Sequence, residues 1–297
     1  MTIRQLRTLV AVADAKTFSA AAEVVHVTHA AVSQQMQSLE ADLGVVLFDR
    51  APRTPELTPA AREIVAKARK LIADYDGLAD SVRGDGGLEG VLDLGVMRTT
   101  LTGLTPRAVA ILKAKFPKLG LHLRTGLTTA HLTDIERGHL DAAVVSKPHQ
   151  MPLGLVFRTI AQEQMHLIAG PEETSEDPEE LLRKRPFIRF DRDAVVGALI
   201  DNWIVSKGIK VTEAMELDSP EAIASMVHAG LGVSIVPDLS VKGAYQPGVT
   251  SVDLGADAPV RTLGLVHREG HSKTRALDEL YAALLAALDP VGTDSAD

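Results

Sequence analysis

The sequence predicts an α/β protein built in two parts, a mainly helical N-terminal region and a longer region of alternating strands and helices. Residues 1–58 contain short segments with helical periodicity separated by turns. Residues 59–88 form one long helical segment that ends in the breaker GDGG. Residues 89–297 alternate short β-rich runs with helical stretches, which is typical of parallel strands joined by helices.

Composition limits the class of protein. Of the 297 residues, 45% are hydrophobic and 24% are charged, as in ordinary globular proteins, and no apolar run is long enough to span a membrane. Because the sequence contains no cysteine, disulfides, thiolate metal sites, cysteine nucleophiles and thiol-based redox sensing are excluded. Asp14 and Lys16 interrupt the first apolar stretch, so no secretory signal is predicted. We expect a cytoplasmic protein with no membrane contact.

Three short helices are predicted in the first 44 residues. The apolar positions of segment 3–14 share one helical face, and Thr17 or Ser19 can cap a second helix. Thr28 can cap a third helix, which ends at Gly44, a typical C-terminal glycine. The apolar face of this third helix consists of Val32, Met36, Leu39 and Leu43.

The opposite face of the third helix has the chemistry of a DNA-recognition helix. It carries Thr28, His29, Ala30, Ser33, Gln34 and Gln37. Glutamine can pair with the edge of adenine, threonine and alanine methyls can meet the thymine methyl, and a helix N-terminus can bind a phosphate. The Pro-rich loop that follows carries Arg50, Arg53 and Thr54 and can form a wing that reaches the DNA backbone. Residues 1–58 are therefore predicted to be a winged helix-turn-helix, with a plain helical bundle as the alternative.

The charge of this region does not add to that prediction. Residues 1–88 contain 10 Lys and Arg against 11 Asp and Glu, a net of −1, and the whole chain carries −8. DNA-binding domains are more often basic. Binding of phosphates is therefore expected to depend on a few arginines and on helix N-termini.

A heptad pattern runs through residues 59–88. Ala61, Ile64, Ala68, Leu71, Tyr75, Leu78 and Val82 follow one another at alternating steps of 3 and 4 residues. An apolar seam with this period is typical of helices that pair with one another. We predict a dimer seam made by Ile64, Ala68, Leu71, Tyr75, Leu78 and Val82; the alternative is a helix packed on its own domain.

A ligand site is predicted in the first half of the α/β region. Strands are expected at 91–96, 121–125 and 141–146, with a helix from Thr105, as its cap, to Phe116 and another at 130–137. Ligands of open α/β sheets bind beyond the carboxyl ends of the strands. Those ends carry Arg98, Thr99, Thr100, Thr128 and Ser146. Hydroxyls, helix-end amides and a cation together favour an anionic group such as a carboxylate.

A second lobe is predicted from strands at 163–169, 187–190 and 233–236, joined to the first lobe by connections near 146–162 and 237–265. Lobe I would cover about 89–161 and 266–297, and lobe II about 162–265. Two such lobes around a cleft resemble a periplasmic binding protein. Phe190 and Asp191 would face the cleft from lobe II, and an Asp opposite an Arg can read both charges of an amino acid.

Motifs in a fixed order resemble those of LysR-type transcriptional regulators. They are the opening segment 3–44 with LFDR at 47–50 and LTPA at 57–60, then EGVLDLGV at 89–96, IERGHLDAAVV at 135–145, and ELDSPEAIASMVHAGLGVSIVP at 216–237. This chain has His29, Ala30 and Gln34 where the family commonly has other residues, which bears on the preferred base sequence and not on the fold.

The resemblance implies a regulator whose promoter binding is modulated by a small-molecule co-inducer held between the two lobes. In the family, Arg98 to Thr100, Thr128 and Ser146 fall at co-inducer positions. The family usually assembles as a dimer or homotetramer, and each of two winged domains would place helix 28–40 in the major groove of a dyad-related half-site.

No motif of an enzyme or metal site is present. His26 and His29 lie 3 residues apart but have no acidic partners at ligand spacing, and no P-loop or nucleophile-elbow pattern occurs. We therefore expect no catalysis, metal or cofactor. The alternative function is that of a stand-alone small-molecule-binding protein, or an α/β enzyme, without DNA binding.

Overall fold

The computed structural model describes residues 1–49, 56–76, 78, 88–238 and 248–288, without the side chains of four residues between 70 and 76. The predicted site residues Arg50, Arg53, Thr54 and Val82 lie outside the described residues. The chain divides into two compact units, residues 1–84 and 85–297.

Within the described residues, the first unit contains four helices and one small hairpin. The helices are α1 (Ile3–Ala15), α2 (Phe18–Val24), α3 (His29–Leu43) and α4 (Pro59–Asp76), and β1 (Phe48–Asp49) pairs antiparallel with β2 (Glu56–Leu57). Thr28 caps α3 by accepting the N–H of Ala31 at 3.2 Å, and Gly44 ends it with φ of 67°. Of the two predicted caps of α2, Thr17 is the one that accepts an N–H, from Ala20.

The core of this unit fixes α3 against its neighbours. Val32, Met36 and Leu39 are fully buried, as the helical period predicts. Beyond the helix, the Glu40 carboxylate accepts the N–H groups of Leu47 at 2.8 Å and Phe48 at 3.2 Å. The same helix therefore positions both its own polar face and the start of the hairpin.

The prediction that Ala68 belongs to a dimer seam on α4 is wrong. Ala68, with Ala61, is buried in the unit's own core, so Ala68 is not available to a second chain. The Arg69 guanidinium also pairs with Asp14 on α1 at 2.6 Å. Small alanine side chains let the two helices approach closely, which explains why the first half of α4 packs on its own unit. Ile64 is half-buried there as well.

The second unit contains nine strands and seven helices within the described residues. The strands are β3 (Gly90–Val96), β4 (Leu119–Thr125), β5 (Ala142–Ser146), β6 (Leu155–Ala169), β7 (Pro186–Phe190), β8 (Thr212–Leu217), β9 (Ser234–Pro237), β10 (Thr250–Asp253) and β11 (Val260–Arg268). The helices are α5 (Arg98–Leu101), α6 (Leu104–Lys115), α7 (Thr128–Arg137), α8 (Pro178–Lys184), α9 (Val195–Ser206), α10 (Pro220–His228) and α11 (Thr274–Ala286).

Two long strands join the halves of this unit. β3 pairs parallel with β4 and β5, and β11 pairs antiparallel with β5 and with residues 155–164 of β6. The far half of β6 pairs with β9 and β10, while β7 pairs with β8. The predicted connections at 146–162 and 237–265 therefore contain long strand segments. The strand predicted at 163–169 is the second half of β6.

Three local predictions between β3 and α7 were wrong. The short helix α5 follows β3 where no helix was predicted, and α7 begins at Thr128, two residues earlier than predicted. Helix α6 begins at Leu104 after Gly103, so Thr105 is not its cap. Its hydroxyl instead donates to the hydroxyl of Thr100, which donates to the Met97 carbonyl, because both threonines are buried and need partners.

Asp141 joins three segments of the second unit. Its carboxylate accepts bonds from Lys273 Nζ and from the N–H of Asp93, both at 2.8 Å, and lies 3.2 Å from His271 Nε2. The N–H of Lys273 donates to His271 Nδ1, so the ring proton of a neutral His271 is on Nε2 and faces Asp141. Burial works against the charge of Asp141, but these bonds and the ammonium of Lys273 outweigh it and hold its pKa at about 2.

This low pKa predicts an acid-dependent loss of stability. The charged form of Asp141 is favoured in the folded state, so its contribution is present above pH about 4 and is lost as the pH falls towards 2. We expect Asp141→Asn to lower the free energy of unfolding by ~2 kcal/mol at pH 7 and by little at pH 2. Urea titration at several pH values measures this, with exposed Glu136→Gln as the control. A pH-independent difference would contradict the assignment.

Candidate functional site

One exposed face of α3 carries the residues predicted to contact DNA. Thr28, His29, Ala30, Gln34 and Gln37 are exposed and Ser33 is half-buried. Thr28 caps the helix, and the other five lie within its first nine residues.

Neighbouring residues of α3 hold the helix in place. The hydroxyl of Thr8 donates to Gln35 Oε1 at 2.6 Å, and Gln5 Nε2 donates to Ser38 Oγ at 3.0 Å. Within the described part of the chain, Gln34 and Gln37 have no such partner. The side-chain amides of Gln5 and Gln35 therefore link α1 to α3, whereas those of Gln34 and Gln37 remain available to a base edge.

A cavity of about 240 Å³ lies in the second unit, at the ends of the parallel strands. It is lined by Met97, Arg98, Thr99, Gly126, Leu127, Thr128, Ser146, Phe190, Asp191, Ala194, Val195, Val196, Asp218 and Arg261. This set contains six of the seven residues predicted to bind an effector. Thr100 is the exception, because its hydroxyl is buried against Met97 and Thr105. The cavity is smaller than the roughly 300–1,000 Å³ of pockets for drug-sized ligands.

Three donors in the cavity wall converge on one weak acceptor, the sulfur of Met97. The N–H and the hydroxyl of Ser146 lie 3.2 and 3.4 Å from this sulfur, and the Thr128 hydroxyl lies 3.7 Å from it and 3.4 Å from the Ser146 carbonyl oxygen. A thioether accepts hydrogen bonds poorly. Thr128 also opens α7, a helix with no side-chain cap, so unpaired backbone N–H groups lie at the same end of the cavity. This end has the chemistry to bind a negatively charged oxygen.

Arg261 was missed by the sequence prediction. Its side chain is 0% exposed; Nε donates to Glu163 Oε2 at 2.7 Å, Nη2 also contacts Glu163, and Nη1 donates to the Thr99 hydroxyl at 2.9 Å. Arg261 and Glu163 face each other across β11 and β6. The only sequence signal was a charged residue within an apolar strand. Because Thr99 accepts from Arg261, its own proton is left to donate elsewhere.

The cavity wall at the ends of β7 and β8 is acidic. The predicted Asp191 lines the cavity, and so does Asp218, which the sequence prediction did not include. Asp218, and not Asp191, pairs with Arg98, with 3.3 Å between Oδ2 and Nε. Asp191 Oδ1 accepts the N–H of Asp193 at 2.9 Å. Gly197 lets α9 pack on this turn, since a Cβ there would lie 2.0 Å from the Asp191 carbonyl oxygen.

Neither a metal-binding cluster nor a membrane-spanning helix is found among the described residues. No group of three or more histidine, aspartate or glutamate side chains lies close enough to hold a metal ion. None of the helices there has both the length and the apolar character to cross a membrane.

Comparison with known proteins gives matches along most of the chain. Residues 3–62 match the family described as "Bacterial regulatory helix-turn-helix protein, lysR family", and residues 85–289 match "LysR substrate binding domain". The HTH-type transcriptional regulator IlvR of Caulobacter vibrioides is 30% identical over 275 residues, covering 90% of this chain and 92% of that protein. The hydrogen peroxide-inducible genes activator of Haemophilus influenzae is 28% identical and covers 91% of each.

Solved structures agree with these sequence matches. A full-length OxyR variant from Pseudomonas aeruginosa superposes with a TM-score of 0.74 at 25% identity, covering 100% of this chain and 99% of that one. Full-length CbnR, solved in complex with its target DNA, has a TM-score of 0.54 at 22% identity, covering 96% and 100%. The similarity to CbnR is evidence for the fold alone.

Proposed function

Since this chain belongs to the LysR family of DNA-binding transcriptional regulators with an effector-binding domain, we propose that a small carboxylate or amino acid is its effector. The effector would bind in the cavity of the second unit and change how the chain binds promoter DNA. Both family matches describe parts of regulators, and neither describes an enzyme. In this proposal residues 1–58 bind DNA, 59–88 link and pair the chains, and 89–297 bind the effector.

The observation that carries the effector proposal is the set of donors around the Met97 sulfur. The hydroxyl and N–H of Ser146, the Thr128 hydroxyl and the N-terminus of α7 meet at one end of the cavity. A carboxylate oxygen is a far better acceptor than a thioether, so it gains hydrogen bonds when it replaces the sulfur there. The absence of cysteine from the sequence means that this chain has no thiol through which to sense an oxidant.

A thermal-shift screen of small carboxylates and amino acids tests the effector proposal. A ligand that binds only the folded state raises the melting temperature in proportion to its occupancy. We expect at least one compound to raise it, and Ser146→Ala to reduce that rise. No rise with any compound at millimolar concentration would contradict the proposed effector class.

DNA binding is proposed to use Thr28, His29, Ala30, Ser33, Gln34 and Gln37 on α3, with Arg50, Arg53 and Thr54 as backbone contacts. Gln34 is exposed and free of partners in the described part of the chain, which supports a role in reading a base. The two halves of a dyad-like site would be read by two copies of α3.

Gln34→Ala is expected to weaken binding to the specific DNA site by about 5- to 150-fold, because a bidentate base contact is worth ~1–3 kcal/mol. Binding to scrambled DNA of equal length should change little, since it depends on phosphates. Fluorescence anisotropy with the DNA upstream of the chain's own gene measures both affinities. Gln150→Ala, an exposed glutamine of the second unit, is the matched control. An equal loss on both DNAs would contradict base reading by Gln34.

Self-association as a dimer or tetramer is proposed to use the second half of α4 and Leu78, two residues beyond its end. Leu71, Tyr75 and Leu78 are 49%, 52% and 59% exposed in the single chain. Three large apolar side chains at heptad spacing favour pairing with a second helix.

A further inference from the structure

The two ends of the effector cavity differ in charge, and this difference narrows the effector class proposed above, on which the inference rests. The end formed by Ser146, Thr128 and the start of α7 offers hydrogen-bond donors. The opposite wall carries the carboxylates of Asp191 and Asp218. A ligand that spans the cavity therefore meets donors at one end and negative charge at the other.

Both arginines that line the cavity already have an acidic partner. Arg98 pairs with Asp218 at 3.3 Å, and the buried Arg261 pairs with Glu163. A ligand carboxylate at either guanidinium has to share it with Asp218 or Glu163, and separating the buried Arg261 from Glu163 is very costly. The arginines therefore offer a simple anion no positive charge that lacks a partner.

Asp191 has no cationic partner within the described residues. Its Oδ1 accepts one backbone N–H, from Asp193 at 2.9 Å, and the side chain is only partly exposed. A carboxylate that is partly withdrawn from water is stabilised by a positive charge beside it. Three to five residues further along the chain, Ala194, Val195 and Val196 line the cavity with apolar side chains at the start of α9, whose backbone N–H groups have no side-chain cap.

The net charge of the groups around the cavity also disfavours a simple anion. Arg98, Asp191, Asp218, Arg261 and the buried partner Glu163 together carry two positive and three negative charges. A simple carboxylate adds a further negative charge to this group. A ligand that carries an ammonium as well as a carboxylate adds none, and its ammonium neutralises the one carboxylate that lacks a partner.

We propose that the effector is an amino acid, with its carboxylate at Ser146 and Thr128 and its ammonium at Asp191. Asp191 is the residue that distinguishes amino acids from simple carboxylates. The α-carbon joins these two groups, and the side chain of the amino acid lies against apolar residues such as Leu127 and Val195.

Isothermal titration of the full chain tests this with three matched sets of probes: the common L-amino acids, the carboxylic acids that lack the amine, and the amines that lack the acid. For example, alanine is compared with propionate and with ethylamine. We expect an amino acid to bind roughly tenfold or more tightly than either matched analogue, because each analogue leaves one end of the cavity unpaired.

Asp191→Asn is expected to remove that difference. The amide keeps the oxygen that accepts the Asp193 N–H, so the turn is preserved while the charge is lost. Affinity for the amino acid should fall at least about tenfold and that for the simple carboxylate should not fall. Asp193→Asn, an exposed carboxylate two residues away, is the matched control and should bind like the parent protein.

The outcomes separate this inference from the function on which it rests. Asp191 does not have the proposed role if simple carboxylates bind as tightly as amino acids, or if Asp191→Asn leaves the ratio of the two affinities unchanged. A carboxylate effector is still supported in either case. If amines alone bind as tightly as amino acids, the carboxylate end is wrong. Binding of no probe contradicts both the inference and the proposed effector class.

Discussion

Glu163→Gln is expected to lower the free energy of unfolding of the second unit by about 3–5 kcal/mol. Arg261 is 0% exposed and Glu163 is 3% exposed, so the change leaves a buried guanidinium without its counter-charge. The pair joins β6 and β11, the two strands that run through both halves of the unit, and Arg261 also holds Thr99. The change should therefore disturb the cavity wall at Thr99 and also lower the stability of the unit.

Fluorescence of Trp203 measures this effect in the second unit alone. The sequence contains one tryptophan, and it is buried in α9, so urea titration of the full chain reports the unfolding of its surroundings. Exposed Glu172→Gln is the control. The double variant Glu163→Leu with Arg261→Met should recover most of the loss, because two apolar side chains carry no desolvation cost. A loss below ~1 kcal/mol in the single variant would show that the pair is not desolvated.

Replacing Leu71 and Leu78 together by aspartate is expected to separate the proposed dimer into single chains. Both side chains lie at heptad positions and are about half exposed in the single chain, so pairing would bury four carboxylates in each dimer. Affinity for a DNA fragment with two half-sites should fall roughly 100-fold or more, because the two recognition helices are no longer linked.

Sedimentation velocity gives the oligomeric state, and anisotropy with one and with two half-sites gives the loss of linkage. The single-half-site affinity should hardly change, since α3 does not contain the substitutions. Ala66→Asp, exposed on another face of α4, is the control for added charge on this helix. An unchanged oligomeric state in the double variant would remove Leu71 and Leu78 from the interface.

Local sequence signals were sufficient to predict helix α3. Thr28 and Gly44 predicted both ends of α3, because caps satisfy the backbone groups that every helix leaves unpaired. The spacing of Val32, Met36 and Leu39 predicted its buried face, because the helical period is fixed. The same reasoning failed at Thr105, where a neighbouring hydroxyl, Thr100, competes for the side chain.

The sequence by itself also determined where a cavity would lie, since strand ends of an α/β sheet meet at one edge. Arg98, Thr99, Thr128 and Ser146 line the cavity for that reason, whereas Phe190 and Asp191 reach it from the separate sheet of β7 and β8. Only the tertiary structure decided which charged side chains pair with one another around the cavity. Arg261 and Glu163 are 98 residues apart, and Arg98 pairs with Asp218 where prediction had placed Asp191 opposite it. Periodicity and capping act within a few residues, whereas these ion pairs depend on which strands and lobes meet in space.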